Sequence, residues 1–176
     1  NLEFEKAATV RDQLHILNVS FLVPELRREF GGCAGNIAYT LHQLGGEPVV
    51  MATLGSDGAA YLARLQGWSA DTSLVTTVDK AYTAQAIIIT DTDNNQITAF
   101  HPGAMQDAGE VPIPARKDLK IAIIAPDGRD AMWNHAQQLS DAKVPFIFDP
   151  GQQLPRFDGA ELRALVERAH WVAVND

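Results

Sequence analysis

Six side chains sit where an apolar run gives way to a turn: Asn36, Asp57, Asp149, Gln152, Gln153 and Asn175. Carboxamides donate and accept hydrogen bonds without carrying charge, and carboxylates accept them. Each residue alone is an ordinary cap or turn residue, but jointly on one edge of one sheet they make a pocket the better reading. Just before Asn36 runs Gly31-Gly32-Cys33-Ala34-Gly35, with three glycines in five positions. Without Cβ atoms the backbone can turn sharply there and a ligand can reach its amides. A helix that follows adds its dipole behind those amides, which suits an anion. On these residues alone a phosphate cradle and a turn that binds nothing both stay open.

Other chemistries lack their residues. There is no Gly-x-x-x-x-Gly-Lys-Ser/Thr loop and no Gly-x-Gly-x-x-Gly spacing, so neither a P-loop nor a dinucleotide fingerprint is supported. The five histidines (His15, His42, His101, His135, His170) are scattered, with no His-Glu-x-x-His and no Cys-His cluster to hold zinc, so no metal site is expected. A serine triad has no nucleophile elbow to stand on. The net charge of −8 argues against nucleic acid and against an anionic membrane as the main partner. No apolar run approaches the ~20 residues needed to cross a bilayer, and the N-terminus has no signal-peptide pattern. The single cysteine, Cys33, excludes an internal disulfide framework and fits a reducing cytoplasm, where it is read as a small buried filler rather than a redox-sensitive thiol.

The elements that must position these residues follow from periodicity. At 176 residues with 46% apolar and 20% charged side chains, the chain can build one sizeable core. Gln13 to Val23 reads as a strand with one apolar face (Leu17, Val19, Phe21, Val23) and one mixed face (Ile16, Asn18, Ser20, Leu22), which fits a flap. Ile37, Leu41 and Leu44 recur at helical spacing before Gly45-Gly46. Pro48 to Leu54 is expected to be a strand buried on both faces, followed by the turn Gly55 to Gly58 and a helix from Ala59 to Trp68. Asp57 is read as that helix's N-cap in preference to a ligand-facing residue.

A second extended block covers Ser73 to Val78, Thr83 to Thr90 and Gln96 to Phe100, with a hairpin turn at Asp91 to Asn95. After a loop and a proline-rich stretch to Pro114 the rhythm becomes βαβ. Strands are expected at Leu119 to Ala125, Val144 to Phe148 and Trp171 to Val174, with helices at Arg129 to Ala142 and Ala160 to Arg168. The expected fold is α/β, a doubly wound and mostly parallel sheet with a small β lid. Residue 1 is Asn and no helix follows the last strand, so the domain is expected to be truncated at both ends.

Gly31, Gly32, Ala34, Asn36, Ala38, Gly45 and Gly55 reproduce, spacing by spacing, the first signature of the ribokinase-like (PfkB) carbohydrate kinases. A chance match in a chain of this length is on the order of one in ten thousand from ordinary residue usage. Further stretches resemble the bacterial adenosine-kinase branch. These are Leu17 to Val23 through Arg27-Arg28-Glu29-Phe30, Tyr82 to Ala86, Asn95 to Phe100, Pro102 to Met105, and Asp149 to Leu154. Residues 1–176 would then be a partial kinase domain, with lid strands at about 13–30 and 82–100 inserted in the core.

The resemblance implies roles residue by residue. Gly31, Gly32 and Asn36 would hold ribose hydroxyls, Phe100 would stack on the base, and Gln152 and Gln153 would bind its edge. Asn18 and Ser20, with Thr83 to Phe100, would line the lid. Asn175 would open the Asn-x-x-Glu motif that helps place magnesium and phosphate. The cofactors implied are ATP and Mg2+, and the reaction is phosphorylation of a primary hydroxyl, adenosine to AMP. A neutral, hydroxyl-rich acceptor suits backbone amides and an Asn, and a planar base suits an aromatic face and an amide edge. The loop is thus expected to grip the acceptor rather than a phosphate.

The family's catalytic Asp lies in an Asp-Thr-x-Gly-Ala-Gly-Asp motif that does not occur in these 176 residues. No catalytic residue is therefore assigned, and these residues alone are expected not to transfer a phosphoryl group. A ribokinase or another sugar kinase is the alternative within the class. A non-catalytic nucleoside- or sugar-binding module and a homodimer formed through the lid are the rivals outside it.

Overall fold

The computed structural model describes residues 25–175. The expectations for residues 13–24, Asn18 and Ser20 among them, lie outside the described residues. The chain divides into two units, residues 1–30 and 31–176. Of the first, residues 25–30 have no regular structure and are exposed, with Arg27 Nε donating to Glu25 at 2.5 Å.

The second unit opens with helix α1, Cys33–Gln43, four residues earlier than the apolar spacing alone predicts. Gly32 at φ 91° is its N-cap, so the glycine loop itself forms the first helical turn. Gly45, at φ 81°, donates from its N–H to the His42 carbonyl, and the Gly46 N–H reaches the Leu41 carbonyl, both at 2.9 Å. That left-handed turn stops the helix.

Strand β1 (Val49–Gly55), helix α2 (Ala59–Gly67) and strand β2 (Asp71–Val78) follow. β1 and β2 pair in parallel, from Met51 opposite Leu74 to Gly55 opposite Val78. Ala38, Val50, Leu65 and Ala70 form a small core, with Tyr61 and Trp68 packed against it. The expectation that Ser73 to Val78 belongs with the later extended block is corrected here: β2 closes a first βαβ unit, because α2 carries the chain back to run beside β1. β1 also buries one face only, with Val50 and Leu54 inside and Met51 and Thr53 half-exposed.

A second parallel sheet has the order β5-β6-β7, where β5 is Ala122–Ile124, β6 Phe146–Phe148 and β7 Trp171–Val172. Helices α3 (Arg129–Asp141) and α4 (Gly159–Arg168) connect them. Ile124, Met132, Ala136, Leu139, Phe146, Phe148, Phe157 and Leu165 make the larger core. α4 begins with a capping box, in which Asp158 accepts from the Ala160 and Glu161 N–H groups and Glu161 accepts from the Asp158 N–H; such caps contribute about 0.5–2 kcal/mol. The buried strand expected from Leu119 to Ala125 shrinks to three paired residues, with Ile121 and Ile123 47% and 43% exposed. Among the described residues, β5 is paired along one edge. A cleft of about 1180 Å³ lies beside it, lined by Val49, Met51 and Thr53 of β1 and by Ile121 and Ile123.

Between these units, β3 (Gln85–Thr90) and β4 (Gln96–His101) form an antiparallel hairpin. Asp91 Oδ1 accepts from the Asp93 and Asn95 N–H groups at 2.9 and 2.8 Å, which closes the turn as the sequence predicts. A 3₁₀ segment, Gly103–Glu110, leads out of the hairpin. Among the described residues the strands thus form three sheets.

Candidate functional site

The glycine loop is the start of α1, and its helical geometry decides which groups are free. The Asn36 N–H donates to the Gly32 carbonyl at 3.1 Å, so that amide belongs to the helix while the exposed Asn36 side chain remains available. The first-turn amides of Cys33, Ala34 and Gly35 have no acceptor within the helix. The Tyr61 hydroxyl, in the first turn of α2, donates to the Gly31 carbonyl at 2.5 Å. Burial raises the Tyr61 pKa, which keeps that donor protonated. A Cβ on Gly35 would overlap the same hydroxyl, so the glycine there permits close approach of α1 to Tyr61.

The ends of β5 and β6 form the opposite side. β6 runs into the 3₁₀ segment Gly151–Arg156, which carries both glutamines. Gly151, at φ 43°, abuts Pro126 beyond β5, and a Cβ would not fit there. Gln152 is exposed and Gln153 half-buried. The Gln153 Oε1 is buried with no hydrogen-bond partner among the described residues, and an unmet buried acceptor is costly unless something binds it.

Charge links these two sides. The Cys33 thiol is held above its ordinary pKa first by burial, then by the Asp149 carboxylate and, more weakly, by Asp127. Cys33 is half-buried rather than the buried filler expected, yet its protonated thiol is a poor nucleophile. Asp127 was not singled out from the sequence. It follows β5 as Asp149 follows β6, and the local Pro126-Asp127-Gly128 turn is the signal that could have found it. Its carboxyl accepts from the Gly128 N–H at 2.7 Å, and burial raises its pKa.

Asp57 corrects an expectation. The N-cap of α2 is Gly58, with no side-chain cap bond. Asp57 instead reaches across the chain, accepting from the Thr83 N–H at 2.7 Å on Oδ1 and from Gln85 Nε2 at 3.3 Å on Oδ2. Thr83 Oγ1 accepts in turn from the Gly55 N–H at 2.9 Å.

The remaining candidates stand apart. Phe100 is 53% exposed on β4, where it faces Ala86 and shares a side of the hairpin with Ile88, Thr90, Gln96 and Thr98. Asn175 is exposed beyond β7. None of Gly31, Gly32, Asn36, Phe100, Gln152, Gln153 and Asn175 lines the cleft beside β5, whose walls are largely apolar and unsuited to a polyol. Among the described residues no group of three His, Cys, Asp or Glu side chains could hold a metal ion, and no helix is long and apolar enough to cross a membrane.

Comparison with known proteins adds the following. A family model for pfkB family carbohydrate kinases matches residues 8–176. The nucleoside kinase of Methanocaldococcus jannaschii is 29% identical over 160 residues, which is 90% of this chain and 52% of that protein. Its crystal structure, described as an archaeal member of the ribokinase family, superposes with a TM-score of 0.82 over 88% of this chain and 52% of that one. The Burkholderia thailandensis nucleoside kinase, solved in complex with inosine, is 54% identical with a TM-score of 0.81, covering 91% of this chain and 54% of that one. The chain spans about half the length of the curated relatives it matches.

Proposed function

This chain belongs to the pfkB family of carbohydrate kinases, and from that premise we propose that it is the acceptor-binding portion of a nucleoside kinase. The observation that carries the nucleoside reading is the 54% identity to a nucleoside kinase solved with inosine. Adenosine is the acceptor the sequence motifs favour, and inosine is the second candidate. A glutamine amide can donate or accept, so Gln152 and Gln153 suit the amino edge of adenine or the keto edge of hypoxanthine. The unmet Gln153 Oε1 supports a ligand partner there.

In this reading Gly31, Gly32 and Asn36 hold the ribose hydroxyls. Phe100 stacks on the base from the hairpin, and Asn18 and Ser20 belong to the same lid, with lid strands at about 13–30 and 82–100. Orienting the acceptor hydroxyl and excluding water are what this half contributes. When bound, ATP supplies the phosphoryl group and Mg2+ neutralises its charge. Among the described residues no group of three His, Cys, Asp or Glu side chains could hold the ion, so these residues do not by themselves fit a Mg2+ site. Asn175, at the end of the described residues, is the one position proposed to approach the phosphate and magnesium. Cytoplasmic location also belongs to this proposal.

The test is to express the open reading frame that contains these residues and assay it with ATP, Mg2+ and adenosine, inosine or ribose. Nucleoside monophosphate is expected, and the 176 residues alone are expected to make none. Phosphorylation of ribose in preference to either nucleoside would favour the sugar-kinase reading. A homodimer through the lid is supported by Ile87, Ile89 and Ile97, which share one side of the hairpin and are 58%, 52% and 76% exposed; light scattering at rising concentration tests it.

A further inference from the structure

The turn between β1 and α2 holds two parts of the molecule at once. On one side Asp57 accepts from the Thr83 N–H and the Gln85 carboxamide, and the Gly55 N–H donates to Thr83 Oγ1. Ser56 N–H donates to the Ala81 carbonyl at 2.9 Å, and Ala104 N–H to the Tyr82 carbonyl at 2.8 Å, so entry and exit of the hairpin are tied at one place. Cβ atoms at Gly55 and Gly103 would each collide with backbone at Ala81 to Thr83. On the other side Tyr61, in the first turn of the helix that follows Asp57, donates to the Gly31 carbonyl and packs on Gly35.

We infer that Gly55 to Tyr61 is a two-armed bracket in which Asp57 and Tyr61 are positioning residues: Asp57 fixes the base of the β3–β4 hairpin and Tyr61 fixes the glycine loop. A carboxylate suits the first arm because it accepts two bonds that are charge-assisted and therefore short and directional. A phenol suits the second because a single rigid ring reaches the loop with a donor at its tip. Neither residue touches reacting atoms. Together they set the spacing between the two surfaces that, in the reading above, hold the base and the ribose. The ligand part of this inference rests on that reading, whereas the bracket itself does not.

The experiment is amide hydrogen exchange on the 176-residue chain and on the variants Asp57→Ala, Asp57→Asn and Tyr61→Phe, followed by titration of each with inosine. Local opening is read segment by segment. Asp57→Ala is expected to speed exchange at 83–101 by about tenfold or more while α3 and β6 keep their protection. Asp57→Asn, which keeps an acceptor for the Thr83 N–H, is expected to fall between Asp57→Ala and the parent chain. Tyr61→Phe is expected to speed exchange at 36–39, the first hydrogen-bonded amides of α1, and leave 83–101 unchanged. Inosine affinity is expected to drop in both Asp57→Ala and Tyr61→Phe. Uniform acceleration across the chain, or no change at 83–101 in Asp57→Ala, would overturn the bracket. Segment-specific acceleration with no inosine binding by any of the proteins would leave the bracket standing and remove the nucleoside reading.

Discussion

In the β5–β6–β7 unit, Met132, Phe146, Phe148 and Leu165 are fully buried, and the two phenyl rings of β6 with the helix side chains packed on them form its core. In the β3–β4 hairpin all twelve strand residues are exposed. The hairpin is kept in place by its six-residue register, by the Asp91 turn and by the polar ties at its base. Burial of apolar area makes a region costly to deform, whereas a hairpin that is tied, among the described residues, at its base can open locally at low cost. In the proposed reading this contrast suits a ligand-covering flap, in which a rigid floor would carry Gln152 and Gln153 and a light cover would carry Phe100.

The largest blow to the floor is Phe148→Ala. Removing a buried ring from a core that repacks only partly costs about 3–5 kcal/mol, read as a fall in the urea midpoint. At the base of the hairpin, Gly55→Ala pushes a Cβ into the backbone of Tyr82 and Thr83. It is expected to cost about 1–3 kcal/mol and to loosen the hairpin preferentially in exchange measurements. An equal loosening of α3 would blur the distinction between floor and cover.

The third effect is smaller and depends on pH. Hydrogen bonds from Ser73, and then the Arg116 guanidinium 2.8 Å away, lower the Asp71 pKa to about 2. A carboxylate held below its unfolded value stabilises the fold above that value and loses the contribution as pH falls through the folded one. Acid melting between about pH 4 and pH 2 should therefore be steeper in the parent chain than in Asp71→Asn, which stays flatter over that window. The effect is modest because the pair is partly exposed and screened. The smallest effect is expected for Ile88→Thr on the hairpin, within about 0.5 kcal/mol of the parent. A loss as large as that of Phe148→Ala would show that the hairpin is buried against something and end the comparison.

Much of this was legible in the residues, and the failures share a cause. The signature from Gly31 to Gly55 is local, and it marks the glycine turn and the end of β1, although Cys33 to Asn36, left to the loop by the apolar spacing, form the first helical turn. The Asp91 turn, the strand at Phe146 to Phe148 and the helices after Arg129 and Ala160 follow from short-range chemistry and periodicity in the same way. What the sequence hid depends on distant partners. Asp57 looks like a cap because its true partners, Thr83 and Gln85, are 26 and 28 residues away. β2 looks like the first strand of the later extended block because parallel pairing to β1 leaves no local mark. Ile121 and Ile123 look like core because the exposure of one strand in a sheet cannot be read from an apolar run. Asp127 was passed over because one Asp in a Pro-Asp-Gly turn is ordinary until a second strand end is seen beside it.

The most direct test of the central claim is calorimetric titration of the chain with inosine, adenosine and ribose under one set of conditions. Saturable heat with either nucleoside, and weaker binding of ribose, is the expected result. Heat with ribose but none with either nucleoside would contradict the account.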